Sequence, residues 1–203
     1  KRMKLVGAGI NHKETPLEIR EKGAFLHRTL NEAIRTLLNE KDIAEVIILS
    51  TCNRSEIYVS TRNTDAAGEI LTDFYLSEKS AELAPYLFVK KEREAMVHLY
   101  EVVTGLDSMI LGEDQILGQA KDALEKSQAV KGCGKYLTKM FREAITFTKK
   151  VKTDYKISET PLSLSSTAVK HIKREYPEDY GDKKILIIGS GKMGVLALRY
   201  MKA

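Results

Sequence analysis

The stretch Val46-Ile47-Ile48-Leu49-Ser50-Thr51-Cys52-Asn53-Arg54-Ser55-Glu56-Ile57-Tyr58-Val59-Ser60 decides how the first half of the chain folds. Val46 to Leu49 is a short apolar block of the kind that forms a buried strand. The alternation of Glu56, Ile57, Tyr58 and Val59 predicts a second, half-buried strand. Ser50 to Arg54 is then the polar turn that joins them. A core cysteine would sit inside the apolar block, but Cys52 sits in the turn, beside the fixed positive charge of Arg54. The thiolate is the attacking form of cysteine and a nearby cation favours it, so Cys52 is placed as a nucleophile.

Working outward, Leu5 to Ile10 reads as a first strand. Thr15, Pro16 and Glu18 have the spacing of a capping box that opens a helix. Further helices are expected over Leu30 to Asn39 and Asp65 to Leu76, and a short strand near Tyr86 to Val89. The order β-α-β-β-α-β is that of the ferredoxin-like split βαβ arrangement. From Glu92 the pattern turns helical, with apolar stripes at Val97, Tyr100 and Val103, at Leu117, Ala120, Ala123 and Leu124, and from Leu137 through Val151. A helical subdomain therefore follows the small sheet. Ser158 to Leu164, with Pro161 and no periodicity, reads as a linker. A helix over Ser165 to Tyr176 and a buried strand over Lys184 to Ile188 follow. The expected fold is an α+β domain over residues 1–157, then the first β-α unit of a Rossmann-type α/β domain over 158–203.

The chain has 203 residues, 43% of them hydrophobic, and a net charge of +5 from 33 basic and 28 acidic side chains. No apolar run approaches the ~20 residues of a membrane span, and no signal peptide is visible. Cys52 and Cys133 are far apart, with neither a disulfide framework nor a metal-ligand spacing. That combination points to a reducing cytoplasm. Basic residues gather at Lys131, Lys135, Lys139, Arg142, Lys149, Lys150, Lys152 and Lys156. A solvated surface and a polyanionic partner such as RNA explain that cluster about equally well.

Two further constellations carry chemistry. Gly189-Ser190-Gly191-Lys192-Met193-Gly194 is a Gly-x-Gly-x-x-Gly run between a predicted strand and a predicted helix, a pattern that cradles a dinucleotide pyrophosphate. The residue that separates NAD from NADP is expected about 20 residues further on. That point lies past Ala203, so the chain reads as part of a longer protein and leaves the choice open. In Gly105 to Gln119, three glycines and several polar residues interrupt an apolar run. Ser108, Glu113, Gln115 and Gln119 suit a polar ligand pocket, although a helix–turn–helix junction accounts for them too. His12 reads as a turn residue and His98 as a helical one. Cys133, between two glycines, reads as a loop thiol.

Together these motifs resemble the glutamyl-tRNA reductase family. Gly9 to Lys13 with Ile19 to Lys22 looks like its opening and Leu49 to Glu56 like its cysteine motif. Gly105 to Gln119 is similar to its signature segment and Gly189 to Gly194 to its nucleotide loop. The resemblance implies reduction of the glutamyl group of glutamyl-tRNA(Glu) to glutamate-1-semialdehyde with NADPH, the opening step of tetrapyrrole (porphyrin) synthesis from glutamate. It implies Cys52 as the nucleophile that forms a thioester and His98 as its assistant. It assigns substrate contacts to Thr51, Asn53, Arg54, Ser108, Glu113, Asp114, Gln115 and Gln119, with Arg54 taking a carboxylate and Glu113 an amino group. Asp114 stands where many members have proline. The resemblance further implies a homodimer of the full-length protein and glutamate-1-semialdehyde aminomutase as a channelling partner. Two rival readings share the cysteine: a thiol-dependent aldehyde dehydrogenase, and a non-enzymatic redox-sensing or tRNA-binding module.

Overall fold

The computed structural model describes residues 2–155, 164–178 and 180–202. Its strands β1 (Lys4–Asn11), β2 (Glu45–Ser50), β3 (Arg54–Thr61) and β4 (Phe88–Lys91) form one antiparallel sheet in the order β2-β3-β1-β4. Helices α1 (Leu17–Lys22) and α2 (His27–Leu38) run between β1 and β2, and α3 (Thr64–Glu78) runs between β3 and β4. Each connection joins two strands with a third inserted between them, which is the split βαβ order expected from the sequence. The last strand starts at Phe88, because Ala81–Tyr86 winds into a 3-10 turn first.

Strand residues alternate between two cores. Val6, Ile10, Val46, Ile48, Ile57 and Val59 meet α2 and α3 on one face. Leu5, Ile47, Leu49 and Tyr58 meet the other, which is covered by α4 (Glu92–Thr104), α5 (Gln115–Ala129) and α6 (Lys135–Asp154). Tyr58 packs edge-on against Phe141 of α6 with ring centroids 5.6 Å apart. Every residue of β3 is buried, so the expected half-exposed strand is corrected. Its polar residues do not face water. Arg54, Glu56 and Tyr58 face the helical subdomain and pair there with other side chains, Ser55 bonds Gly23 O and the Tyr75 hydroxyl on the opposite face, and the Ser60 hydroxyl is buried without a hydrogen-bond partner among the described residues.

Two local expectations also change. The capping box at Thr15 does not form: α1 starts at Leu17 with Pro16 at the N-cap and no side-chain cap. Thr15 belongs instead to a turn closed by its own N–H on Asn11 O, at 3.1 Å. Residues 184–188 form no strand, and Leu186 and Ile188 are 84% and 92% exposed. A parallel strand needs a neighbour for its ladder, and among the described residues none lies beside this one. The segment is flanked by α7 (Leu164–Glu175) and α8 (Lys192–Lys202), joined where Ser165 Oγ donates to Met193 O at 2.9 Å. The predicted linker at Ser158 to Leu164 lies outside the described residues, except that Leu164 opens α7; Lys156 lies outside them as well.

Candidate active site

Cys52 is exposed in the turn between β2 and β3. The backbone around it is held at several points. Thr51 N–H donates to Arg54 O at 2.8 Å, and Thr51 Oγ1 accepts from the N–H groups of Asn53 and Arg54 at 3.1 and 3.2 Å. Such a side chain-to-backbone turn fixes the loop without a ligand. Arg20 of α1 adds a clamp: its Nε donates to Cys52 O at 2.9 Å and its Nη1 to Thr15 O at 3.0 Å. The main chain is therefore pinned while the thiol faces outward.

Behind the turn lies a buried polar network. Arg54 is 1% exposed. Its Nη1 donates to Glu56 Oε1 at 2.7 Å and to Asp107 Oδ2 at 3.1 Å. Its Nη2 donates to Asp107 O at 2.6 Å and to Asp107 Oδ2 at 3.1 Å. Glu56 also accepts from the Tyr58 hydroxyl at 2.5 Å and lies 3.1 Å from His98 Nε2. A carboxylate oxygen only accepts, so Nε2 carries the proton and Nδ1 is left for exchange. The His98 ring rests edge-on against Phe88, centroids 4.9 Å apart. Burial pushes the Glu56 carboxyl up, but the His98 hydrogen bond, the Arg54 charge and the Tyr58 hydroxyl outweigh it and hold it below its usual range. Burial and the Glu56 charge drive the Tyr58 phenol well above its usual value. Asp107 is pushed up by burial but more strongly down by its hydrogen bond with Lys13 and by Arg54.

The loop of residues 105–114 is shaped from both ends. Gly105 closes α4 in the left-handed region at φ 80°, and Gly112 N–H returns to Gly105 O at 3.0 Å. Lys152 of α6 is buried and staples the far end, donating to Gly112 O at 2.9 Å, Glu113 O at 3.0 Å and Asp114 Oδ1 at 2.5 Å. Asp114 occupies the N-cap position of α5 and serves as this anchor.

Thr51, Cys52, Asn53 and Arg54 thus share one turn, and Arg54 ties it through Asp107 to the loop bearing Ser108, Glu113 and Asp114. Ser108 and Glu113 are half-buried there, Gln115 is exposed at the start of α5, and Gln119 is half-buried one turn on. His98 joins through Glu56. Arg54, read from sequence as a fork for a substrate carboxylate, has its fork engaged by Asp107. Several site residues were not legible in the sequence: Lys13, Arg20, Glu56, Asp107 and Lys152. His12 was read only as a turn residue, yet its Nδ1, like Thr15 Oγ1, is buried and lacks a hydrogen-bond partner among the described residues. Burial and then the nearby Arg54 charge lower the His12 pKa. The glycine loop lies apart, in the C-terminal segment. Gly189 has φ 109°, a Cβ on Gly194 would collide with Gly189 O, and a Cβ on Gly191 would meet nothing within 4 Å. That backbone suits close approach of a phosphate group.

The family model described as "Glutamyl-tRNAGlu reductase, N-terminal domain" matches residues 8–155. The chain is 48% identical over 200 residues to a glutamyl-tRNA reductase of Clostridium novyi, covering 98% of this chain and 48% of that protein. It is 42% identical over 200 residues to that of Listeria welshimeri, covering 97% and 46%. The solved structure of glutamyl-tRNA reductase from Methanopyrus kandleri superposes with a TM-score of 0.72 at 32% identity, over 98% of this chain and 46% of that one. The chain spans about half the length of the relatives it matches. With the Cys52 turn and the 105–114 loop inside the matched region, the chain belongs to the glutamyl-tRNA reductase family and carries its N-terminal domain.

Proposed function

We propose that Cys52 takes the glutamyl group from glutamyl-tRNA as a thioester, and that the whole protein reduces that thioester to glutamate-1-semialdehyde with NADPH. The observation that carries this reading is an exposed thiol on a turn whose backbone is locked by Thr51 and Arg20. The Cys52 thiolate attacks the aminoacyl ester carbonyl. The S–C bond forms, the ester C–O bond breaks, and the ribose hydroxyl of tRNA leaves with a proton. A nicotinamide cofactor held at the Gly189 to Gly194 loop would supply the hydride that reduces this thioester and frees the Cys52 thiolate.

The chain's other residues bind and orient. Glu113 and Ser108 sit on the stapled loop, suited to the substrate's amino group and carbonyl. Asn53 and Gln119 extend the polar lining. His12 Nδ1 and Thr15 Oγ1, left without partners beside the turn, offer two further polar contacts. Arg54 receives the substrate carboxylate only where Asp107 yields it, and Lys13 is the alternative partner that lets Asp107 do so. His98, oriented by Glu56, is the group for proton exchange near the leaving hydroxyl. Residues 1–157 form the glutamyl-binding unit. Residues 158–203 begin a nucleotide-binding domain whose loop, Gly189 to Gly194, receives the cofactor's pyrophosphate.

In the full-length protein, glutamyl-tRNA-dependent oxidation of NADPH is expected to vanish in Cys52→Ser and to persist in Cys133→Ser. Equal turnover by Cys52→Ser overturns the nucleophile assignment.

A further inference from the structure

The exposed side of α6 is not an evenly solvated face. Lys135, Lys139, Arg142, Lys149 and Lys150 are all exposed. At 100° per residue they fall within an arc of about 100°, opposite the buried residues Leu137, Phe141, Ala144 and Thr148. They span ~22 Å along the axis at 1.5 Å per residue. Between Lys135 and Lys150 the helix carries one acidic residue, Glu143, which lies just outside this arc, 3.7 Å from Lys139. Alongside runs a groove of about 640 Å³ between α6 and α4, where Lys135, Lys139 and Arg142 outnumber the one carboxylate, Glu143, and Phe147 and Tyr100 supply aromatic walls. Phe147 is exposed there, its ring 5.2 Å from that of Tyr100.

The ridge is aimed. Its Lys149 and Lys150 end is one turn or less from Lys152, which grips the 112–114 end of the loop, and the same loop reaches Arg54 beside the Cys52 turn through Asp107. The helix therefore runs away from the candidate active site as a basic rail. A single anion needs one or two of these charges. A rail of this length matches a run of phosphates, for which regularly placed Lys and Arg set position rather than sequence.

We propose that this basic face of α6 is the docking surface for the RNA arm whose 3′ end delivers the acyl group to Cys52; the inference rests on the reading above that the acyl donor is a tRNA. The backbone of the arm lies along Lys135 to Lys150, and Phe147 with Tyr100 offers an aromatic flank in the adjoining groove. Because the contacts are to phosphate, affinity falls steeply with salt and depends little on which tRNA is offered.

The test uses the full-length protein with Lys135, Lys139, Arg142, Lys149 and Lys150 all changed to Gln, which keeps helix propensity and leaves Lys152 intact. Binding is read by fluorescence anisotropy of an uncharged tRNA over a salt series. Acylation of Cys52 is read separately with a small glutamyl thioester. The expected result is affinity reduced by at least about tenfold at 0.1 M salt, a log–log salt slope smaller by about one per lost contact, and unchanged acylation by the small donor. Unchanged affinity and slope overturn the surface. So does competition by poly-glutamate as strong as that of tRNA, which would mark an acidic-protein site instead. A wild type that binds tRNA but takes no acyl group from glutamyl-tRNA overturns the Cys52 reading alone, since anisotropy still decides the surface.

Discussion

At the scale of single residues, the centre of the site is a guanidinium held by carboxylates away from water. Removing one partner of a buried ion pair leaves a charge uncompensated, at a cost of about 3 kcal/mol. Asp107→Ala is therefore expected to lower unfolding free energy by about that amount in urea titration, and to loosen the Cys52 turn from the 105–114 loop. Glu56 adds a pH dependence with a definite sign. Its folded pKa lies below the model-peptide value of 4.5, so the stabilisation is fully present above that value and is lost as pH falls below it. Thermal unfolding across pH 3 to 6 is expected to show this acid loss in the wild type and a flatter profile in Glu56→Gln. Cys52 and Arg54 were legible in sequence because a turn between two strands is a local feature. Their partners were not. Asp107 reaches Arg54 across 53 positions and His98 reaches Glu56 across 42, and no periodicity encodes a contact of that range.

At the scale of elements, the sheet order and most helix spans followed from periodicity, because each strand and helix writes its buried face into its own spacing. The failures share a cause: a local signal met a tertiary competitor. Thr15 has the right neighbours for a capping box, but its backbone closes a turn to Asn11 and its carbonyl receives Arg20, so the helix starts later. The alternation in β3 implied a wet face, and the helical subdomain covers it. The 105–114 loop depends on two devices. A methyl on Gly105 would be strained at φ 80° and lie 3.1 to 3.2 Å from the backbone of Glu113. Gly105→Ala is expected to cost about 1 kcal/mol or more in chemical denaturation. Lys152→Met removes the staple while keeping the packing stem. Limited proteolysis of that variant is expected to cut first within residues 105–114, where the wild type resists.

At the scale of the whole molecule, one sheet with two covered faces places Cys52 at the edge where both layers contribute: α1 clamps its carbonyl, and the α4–α5 loop supplies its neighbours from the other side. Residues 183–190 stand apart from this frame. Ile185, Leu186 and Ile188 are exposed and no strand forms, so amides 184–188 are expected to exchange rapidly in hydrogen-exchange mass spectrometry of the 203-residue chain, while those of β3 stay protected. The central claim concerns one sulfur atom, and it is tested most directly by incubating the chain with labelled glutamyl-tRNA, quenching in acid and mapping the label by peptide mass spectrometry. The expected result is one glutamyl group on the peptide containing Cys52, released by hydroxylamine and absent in Cys52→Ser. Label on Cys133, or no protein-bound label with an intact donor, contradicts Cys52 as the acyl acceptor.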